Sequence, residues 1–165
     1  MKKKMDKQKK NWITYGVHYD PEKFNKISEN EVSTLNKPMT GGLWCSPVDS
    51  SCSWKRWCEG EYFRVESLKF GTKFNITPDA KILKIDSLCD YYQVKKTYGE
   101  FNNEYYQILI NFSKISKIYD AVYLTESGFH DTRWLDDLYD MGTYSWDCES
   151  MVILNNEIIT DVELF

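Results

Sequence analysis

The sequence has no apolar run long enough for a transmembrane helix, so we expect no membrane association. The first ten residues, MKKKMDKQKK, carry six lysines but no apolar stretch behind them, which does not fit a secretory signal. They are predicted to form a disordered basic tail. Residues 11–165 show no internal repeat and are long enough to bury a core, which predicts one domain.

Cysteine pairs at the spacing of a metal site or a redox motif are also missing. The five cysteines are odd in number, none lies in a CxxC pair, and none stands beside a histidine at ligand spacing. This pattern is typical of reduced thiols in a cytoplasmic protein. It predicts neither a disulfide framework nor a metal site.

Catalytic motifs are scarce. The sequence contains no Gly-x-Ser-x-Gly elbow, no HExxH, no phosphate-cradling glycine loop and no Rossmann glycine triad. Of the two histidines, we expect His130 to lie on the surface, whereas His18 lies in a stretch rich in strand formers. A lone histidine in a strand is more often structural than catalytic. These absences argue against hydrolase, kinase and metalloenzyme functions.

The formal net charge is −4 at pH 7 even though six lysines lie in the first ten residues, so the remainder of the chain is clearly acidic. An acidic surface is poorly suited to a phosphate backbone, which needs several positive contacts. We therefore expect a macromolecular partner to be a protein rather than a nucleic acid.

Aromatic residues are abundant and are densest in residues 41–61, GGLWCSPVDSSCSWKRWCEGE. A glycine pair leads into a short strand, and Ser53 is predicted to cap a helix with Trp54 and Trp57 on one face. The tryptophans, Trp44 included, either fill the core or line a ligand site. The glycine pair favours a ligand site, because it allows a sharp bend or the close approach of a ligand.

The remaining pattern predicts an α+β domain of short elements. Strands are predicted at residues 12–19, 62–77, 80–86, 121–125, 150–154 and 158–164, and helices at residues 20–28, 87–98 and 113–119, with a helical turn at 134–138 and loops at 29–37 and 101–105. Residues 106–112 fit a strand or a helix equally well. Within residues 12–19, strand alternation places His18 opposite Ile13 and Tyr15.

Two carboxylates, Asp147 and Glu149, directly precede the predicted buried strand at residues 150–154. Acidic residues at this place commonly form a solvated strand entrance. Alternatively they present a carboxylate at the rim of a cleft, where it can hold a ribose hydroxyl and stabilise an oxocarbenium-like centre. Strand alternation would put both side chains on one face.

The order of these parts resembles the ADP-ribosyltransferase fold, in the branch of diphtheria toxin and poly(ADP-ribose) polymerase and its small bacterial and phage relatives. The segments that carry the resemblance are TYGVHY, GGLWCSP, SWKRWCE, AKILKID, YDAVYL and CESMVILNNEII. They span most of residues 12–164. The resemblance implies a split, curved β structure with an NAD cleft between the first strand and residues 42–46.

The resemblance also implies roles for single residues. Glu149 matches the catalytic glutamate, with Asp147 as the alternative carboxylate, and His18 matches the histidine that hydrogen-bonds the NAD ribose. The further residues implied in NAD binding are Tyr19, where the family usually has glycine, Gly42, Trp44 and Ser46 on the nicotinamide strand, and Trp54 or Trp57 in place of a stacking tyrosine.

The implied activity is transfer of ADP-ribose from NAD to an acceptor with release of nicotinamide, and no metal is expected to take part. Two alternatives stay open. One is a non-catalytic nucleotide- or protein-binding module of the same fold. The other is an interaction protein whose tryptophans belong to the core.

Overall fold

The protein is described by a computed structural model for residues 11–29 and 35–165. Its strands are β1 (Trp12–Tyr15), β2 (Leu43–Pro47), β3 (Gly71–Ile76), β4 (Ile82–Ile85), β5 (Gly99–Asn102), β6 (Gln107–Ile110), β7 (Ala121–Leu124), β8 (Ser150–Ile153) and β9 (Ile159–Leu164). The α-helices are α1 (Trp54–Glu61), α2 (Leu88–Tyr98), α3 (Phe112–Ser116) and α4 (Glu126–Thr132). Short 3-10 helices lie at Pro21–Lys23, Val65–Lys69 and Asn156–Ile158. The expected α+β class is confirmed.

Seven strands form one sheet in the order β4-β7-β8-β2-β1-β3-β9, and β5 and β6 form a separate hairpin. The pair β4–β7 is parallel, and the other neighbours are antiparallel. All four residues of β8 are buried. Val152 faces one apolar cluster, while Met151 and Ile153 face another on the opposite side. Both faces of the central strand are therefore covered, which explains its continuous apolar sequence.

The strands β1 and β2 pair only at one end. Their register consists of two pairs, Trp12 with Pro47 and Ile13 with Ser46. Beyond these pairs Gly16, with a φ of 73°, ends β1 and turns the chain away. The two strands thus belong to one sheet and share a groove where they diverge, at the place where the family resemblance implies a cleft.

The four α-helices each begin after a side-chain cap, which is why they start where they do. The caps are Ser53, Ser87, Asn111 and Thr125, and each accepts a hydrogen bond from the backbone N–H three residues later. The capped start of α1 at Trp54 agrees with the sequence prediction. None of the helices in the described part of the chain is long and apolar enough to cross a bilayer.

Several predicted elements are wrong in extent. The first strand stops at Tyr15 rather than residue 19, because Gly16 takes a left-handed conformation. The helix expected at residues 20–28 is only one 3-10 turn, although Asp20 caps it as predicted by accepting from the Glu22 N–H at 3.0 Å. Residues 65–69 form a 3-10 helix where a strand was expected, because Arg64 before them has a φ of 47°.

Two parts of the structure, β5 and α4, appear where the sequence predicts no such element, and β6 resolves the ambiguity at residues 106–112 as a strand. The hairpin β5–β6 includes part of the expected loop at residues 101–105. The helix α4 lies before the expected turn at residues 134–138, for which no helix is assigned. A Cβ at Gly128 would lie 2.1 Å from the Ile85 carbonyl oxygen, so a glycine lets α4 lie against the end of β4. The basic residues 1–10 and residues 30–34 of the expected loop lie outside the described residues.

Candidate functional site

A cleft of about 880 Å³ opens where β1 and β2 diverge. Its walls come from β1 and the segment after it, from β2 and the glycines before it, from the start of α1, and from residues 145–148. This volume falls within the range of about 300–1,000 Å³ that is common for small-molecule sites. The cleft is therefore the first candidate for a ligand site.

The first wall carries His18, on the segment that follows β1. The buried Thr72 fixes this segment: its hydroxyl donates to the Val17 carbonyl at 2.9 Å and accepts from the Tyr19 N–H at 2.8 Å. The His18 ring is exposed, with Nε2 3.2 Å from the Phe165 carbonyl oxygen. The backbone holds His18 in place, and the residue lines the cleft.

Tyr19 contributes to the same wall, where its hydroxyl accepts a hydrogen bond from the Asn156 amide at 3.1 Å. Its ring also packs against the apolar cluster on that side of the sheet. The position next to His18 is therefore filled by a side chain that is anchored in the fold.

The second wall begins with the glycine pair, whose φ values are 73° at Gly41 and 75° at Gly42. The Gly42 N–H donates to the Asn25 carbonyl at 2.8 Å, and a Cβ on Gly42 would lie 2.7 Å from Val152 Cγ2. The left-handed conformation and the close packing both require glycine here. The close approach predicted for a ligand is made by the chain itself, although both glycines also line the cleft.

Two of the three tryptophans highlighted by the sequence line the cleft. Trp44, on β2, packs edge to face on Trp146 with ring centroids 4.7 Å apart, and it also contacts the main core. Trp54, at the start of α1, stacks on Trp57 at 4.9 Å with an interplanar angle of 18°. Trp57 is not among the cleft-lining residues of the described chain and supports Trp54 from behind.

The hydroxyl of Ser46 joins three segments beneath the cleft. It accepts a hydrogen bond from the Trp54 N–H at 3.2 Å and donates to the Glu149 carbonyl at 3.2 Å. Ser46 is buried, and its neighbour Cys148 has a pKa raised to about 12 by burial. Ser46 therefore positions the start of α1 against the segment that leads into β8, and Cys148 is a neutral thiol in this wall.

Two carboxylates line the cleft, Asp20, which pairs with Lys23, and Asp147. Asp147 is the one that the sequence analysis singled out. It is half-buried, and burial raises the pKa of its carboxyl, while the charges of Arg133 and Lys37 act in the opposite direction. Arg133 also donates to the Trp146 carbonyl at 3.1 Å and so braces the backbone just before Asp147. Asp147 is thus within the lining that a ligand bound between the two walls would contact.

Glu149 lies elsewhere, although the sequence predicts that it shares a face with Asp147. Its buried carboxylate accepts hydrogen bonds from the hydroxyls of Ser50 and Tyr123, and it does not line the cleft. Burial and this contact with Glu149 raise the pKa of the Tyr123 phenol. The alternation argument is wrong here, because β8 begins only at Ser150 and residues 147–149 precede it.

The cleft also contains cations that the sequence reasoning missed. Arg64 lies on the rim, with its guanidinium carbon 5.2 Å from the centroid of the Phe63 ring, and Lys23 pairs with Asp20 at 3.1 Å. No sequence signal marks Arg64, because it stands in a stretch that alternates like a strand.

Aromatic faces, an imidazole, a carboxylate and cations together suit a flat ligand that carries hydroxyl groups and negative charge. Comparisons of the chain with protein-family models, with curated proteins and with solved structures found no match.

Proposed function

We propose that this protein is an NAD-dependent ADP-ribosyltransferase, which transfers ADP-ribose from NAD to an acceptor and releases nicotinamide. The observation that carries the proposal is the cleft between β1 and β2, which has His18 on one wall and Trp44, Trp54 and Asp147 on the other. The proposed acceptor is a protein in the cytoplasm, since the chain outside its tail is acidic and its cysteines are free thiols.

Each group of the cleft has a role toward NAD in this proposal. The nicotinamide ring of NAD is positively charged, and the face of an indole attracts such a ring, which assigns it to Trp54 or Trp44. His18 hydrogen-bonds a ribose hydroxyl. Arg64 and Lys23 lie on the same cleft and can meet the negative diphosphate.

In the proposed reaction, the bond between the ribose C1′ and the nicotinamide nitrogen breaks, and its electron pair leaves with nicotinamide. The positive charge that develops on the ribose is stabilised by the ionised carboxylate of Asp147. The acceptor then forms a new bond to C1′ and loses its proton to solvent. The carboxylate matters most in the transition state, where the charge is largest.

Glu149, which the family resemblance marks as catalytic, becomes a positioning residue in this proposal. Its N–H donates to the Cys52 carbonyl at 2.9 Å, and its carboxylate holds Ser50. These contacts fix residues 48–52 against the segment that carries Asp147. The proposal assigns the catalytic carboxylate to Asp147, because Asp147 lines the cleft and Glu149 does not.

The test is release of free nicotinamide when the full chain is incubated with NAD, with water or an added small nucleophile as acceptor. We expect Asp147→Asn to lower kcat by about 10²–10³-fold, by analogy with removal of one oxyanion-stabilising group. Binding of NAD, followed by tryptophan fluorescence, should survive the substitution. The matched control is Asp79→Asn, an exposed aspartate away from the cleft, which should release nicotinamide at the normal rate.

Absence of nicotinamide release from the unaltered protein would contradict the proposal, as would full activity of Asp147→Asn. Loss of kcat in Glu149→Gln with full activity in Asp147→Asn would return the catalytic role to Glu149.

A second candidate is a nucleotide-binding module without catalysis. It is favoured by the burial of Glu149, whose carboxylate is already engaged by Ser50 and Tyr123. In that case NAD changes the tryptophan fluorescence, but no nicotinamide is released. A protein that only binds other proteins would show neither response.

A further inference from the structure

We propose that Cys52, Glu126 and His130 form a binding site for a divalent metal ion of the zinc type. Their potential ligand atoms, one sulfur, one carboxylate oxygen and one imidazole nitrogen, all lie within 4.8 Å of one another. Among the described residues, this is the group that brings three such ligands together. None of the three lines the cleft, so the site does not depend on the proposed transferase function.

The fold brings these residues together from distant parts of the sequence. Glu126 and His130 are separated by one turn of α4 and lie on the same face, with Nε2 and Oε1 4.0 Å apart. Cys52 lies in the turn between β2 and α1. The neighbouring Ser51 hydroxyl donates to Glu126 Oε1 at 2.8 Å, so this turn already contacts α4.

The ligand chemistry selects zinc over harder cations. Zinc binds thiolate, imidazole and carboxylate at about 2.0–2.3 Å, usually in tetrahedral geometry, so its ligand atoms lie roughly 3.3–3.8 Å apart. From within 4.8 Å of one another, the three ligand atoms would have to move closer to reach that spacing. A sulfur ligand disfavours magnesium and calcium, which prefer oxygen. Three protein ligands leave the fourth position to a water molecule.

The local charge also favours a cation. The carboxylates of Glu126 and Glu149 both act electrostatically on the Cys52 thiol, as does the positive charge of Arg133. A bound divalent ion offsets the repulsion between these carboxylates and the thiolate. On binding, the zinc–sulfur bond replaces the S–H bond of Cys52, and the proton is released to solvent.

The other thiols of the chain do not compete for this site. Cys45, Cys58 and Cys148 are buried, and the exposed Cys89 lies on α2. Residues 1–10 and 30–34 contain neither cysteine nor histidine. A signal from sulfur bound to a metal can therefore be assigned by substituting single cysteines.

The test is titration of the full chain with Co²⁺, which replaces zinc and absorbs light, under reducing conditions without added thiols. We expect a thiolate-to-cobalt charge-transfer band that saturates at one ion per chain and is abolished by Zn²⁺. Cys52→Ser should remove the band. Glu126→Gln and His130→Gln should each weaken binding by at least about tenfold, because even partners outside the first coordination sphere contribute roughly 10–100-fold.

The matched control is Cys89→Ser, which removes an exposed thiol elsewhere and should leave the titration unchanged. The proposal is overturned if no sulfur band forms, if the band survives in Cys52→Ser, or if both His130→Gln and Glu126→Gln bind cobalt like the unaltered chain. His130 is 65 % exposed in its side chain, so its substitution tests the site even if a change at Cys52 disturbs folding. The cobalt titration does not depend on NAD turnover, so it tests the metal site even if the proposed transferase function is wrong.

Discussion

The position of Asp147 in the cleft lowers the stability of its ionised form in the folded protein. Burial raises the pKa of its carboxyl in the folded protein above the value in the unfolded chain. Ionisation is therefore less favourable in the folded state, and this cost is present at any pH above the ordinary aspartate range. Carboxylates that are less stable than they would be in water are common at functional sites.

We predict that Asp147→Asn makes the protein at least as stable as the unaltered chain at neutral pH, even though it impairs the proposed reaction. Asparagine avoids the cost of ionisation, so the difference should shrink as the pH falls into the aspartate range, where both states of the original protein become protonated. The measurement is urea unfolding of both proteins across that pH interval. If the variant is instead less stable than the unaltered chain at neutral pH, and this deficit shrinks in acid, then Arg133 and Lys37 make the charge of Asp147 stabilising.

Some residues that sequence reasoning assigned to a site do line the cleft, and local rules explain their positions. Ser53 caps α1 because a hydroxyl before a helix satisfies a free N–H, and this places Trp54 on the cleft. Glu149 could not be located in this way. Its direction depends on where β8 starts and on hydrogen bonds to Ser50 and Tyr123, which come from distant parts of the sequence.

At the scale of the elements, the glycine pair decides how β2 enters the sheet. Gly42 combines a left-handed backbone with close contact to Val152 and the Ile153 carbonyl, both in β8. Gly60, inside α1, has no atom within 4 Å of a built Cβ and no left-handed backbone. A substitution by alanine is therefore expected to have opposite effects on stability at Gly42 and at Gly60.

We predict that Gly42→Ala destabilises the protein by at least about 1 kcal/mol, from the left-handed conformation alone. Gly60→Ala should stabilise it by roughly 0.5–1 kcal/mol, because alanine loses less backbone entropy in a helix. Thermal or urea unfolding of both variants measures the two effects. An unchanged stability in Gly42→Ala would mean that the backbone before β2 relaxes without disturbing β8.

The elements that sequence patterns predicted well have a clear cap, as α2 has in Ser87, or a continuous apolar run, as β8 has. Those predicted poorly depend on the backbone conformation of single residues. Gly16 ends β1 early, and Arg64 starts a 3-10 helix, each with a positive φ that alternation of side chains does not reveal. In the hairpin β5–β6, the β6 sequence fits a strand or a helix equally well, and β5 was missed because it pairs with β6 in a stretch, Gly99–Asn102, with few apolar residues.

At the scale of the whole molecule, a buried polar network ties α2 to the segment that leads to the cleft. Asp140 accepts from the Tyr91 hydroxyl at 2.6 Å and pairs with Lys95 at 2.8 Å, with both charged side chains 9 % exposed. Asn36 donates to the Tyr91 oxygen at 3.0 Å, and its carbonyl accepts from the Trp146 indole at 2.9 Å. The network therefore reaches the residue next to Asp147.

We predict that Lys95→Met destabilises the protein by about 3 kcal/mol, because it leaves the buried charge of Asp140 without its cation. Lys96→Met is the matched control: it makes the same change at the next residue of α2, where the side chain is exposed, and should have little effect. Chemical unfolding compares the two. Equal stability of both variants would show that Tyr91 and backbone N–H groups alone can support the carboxylate.

The position of β8 in the sheet has a consequence for the order of assembly. Before residue 150 is in place, the chain can form the pair β4–β7 and the group β2–β1–β3, but no sheet hydrogen bonds connect the two. β8 joins them by pairing with β7 on one side and β2 on the other. The strand that completes the sheet is therefore among the last to be synthesised. Such sequence-distant pairing slows folding, and the edges of β2 and β7 that β8 covers stay unpaired until this last part of the domain emerges.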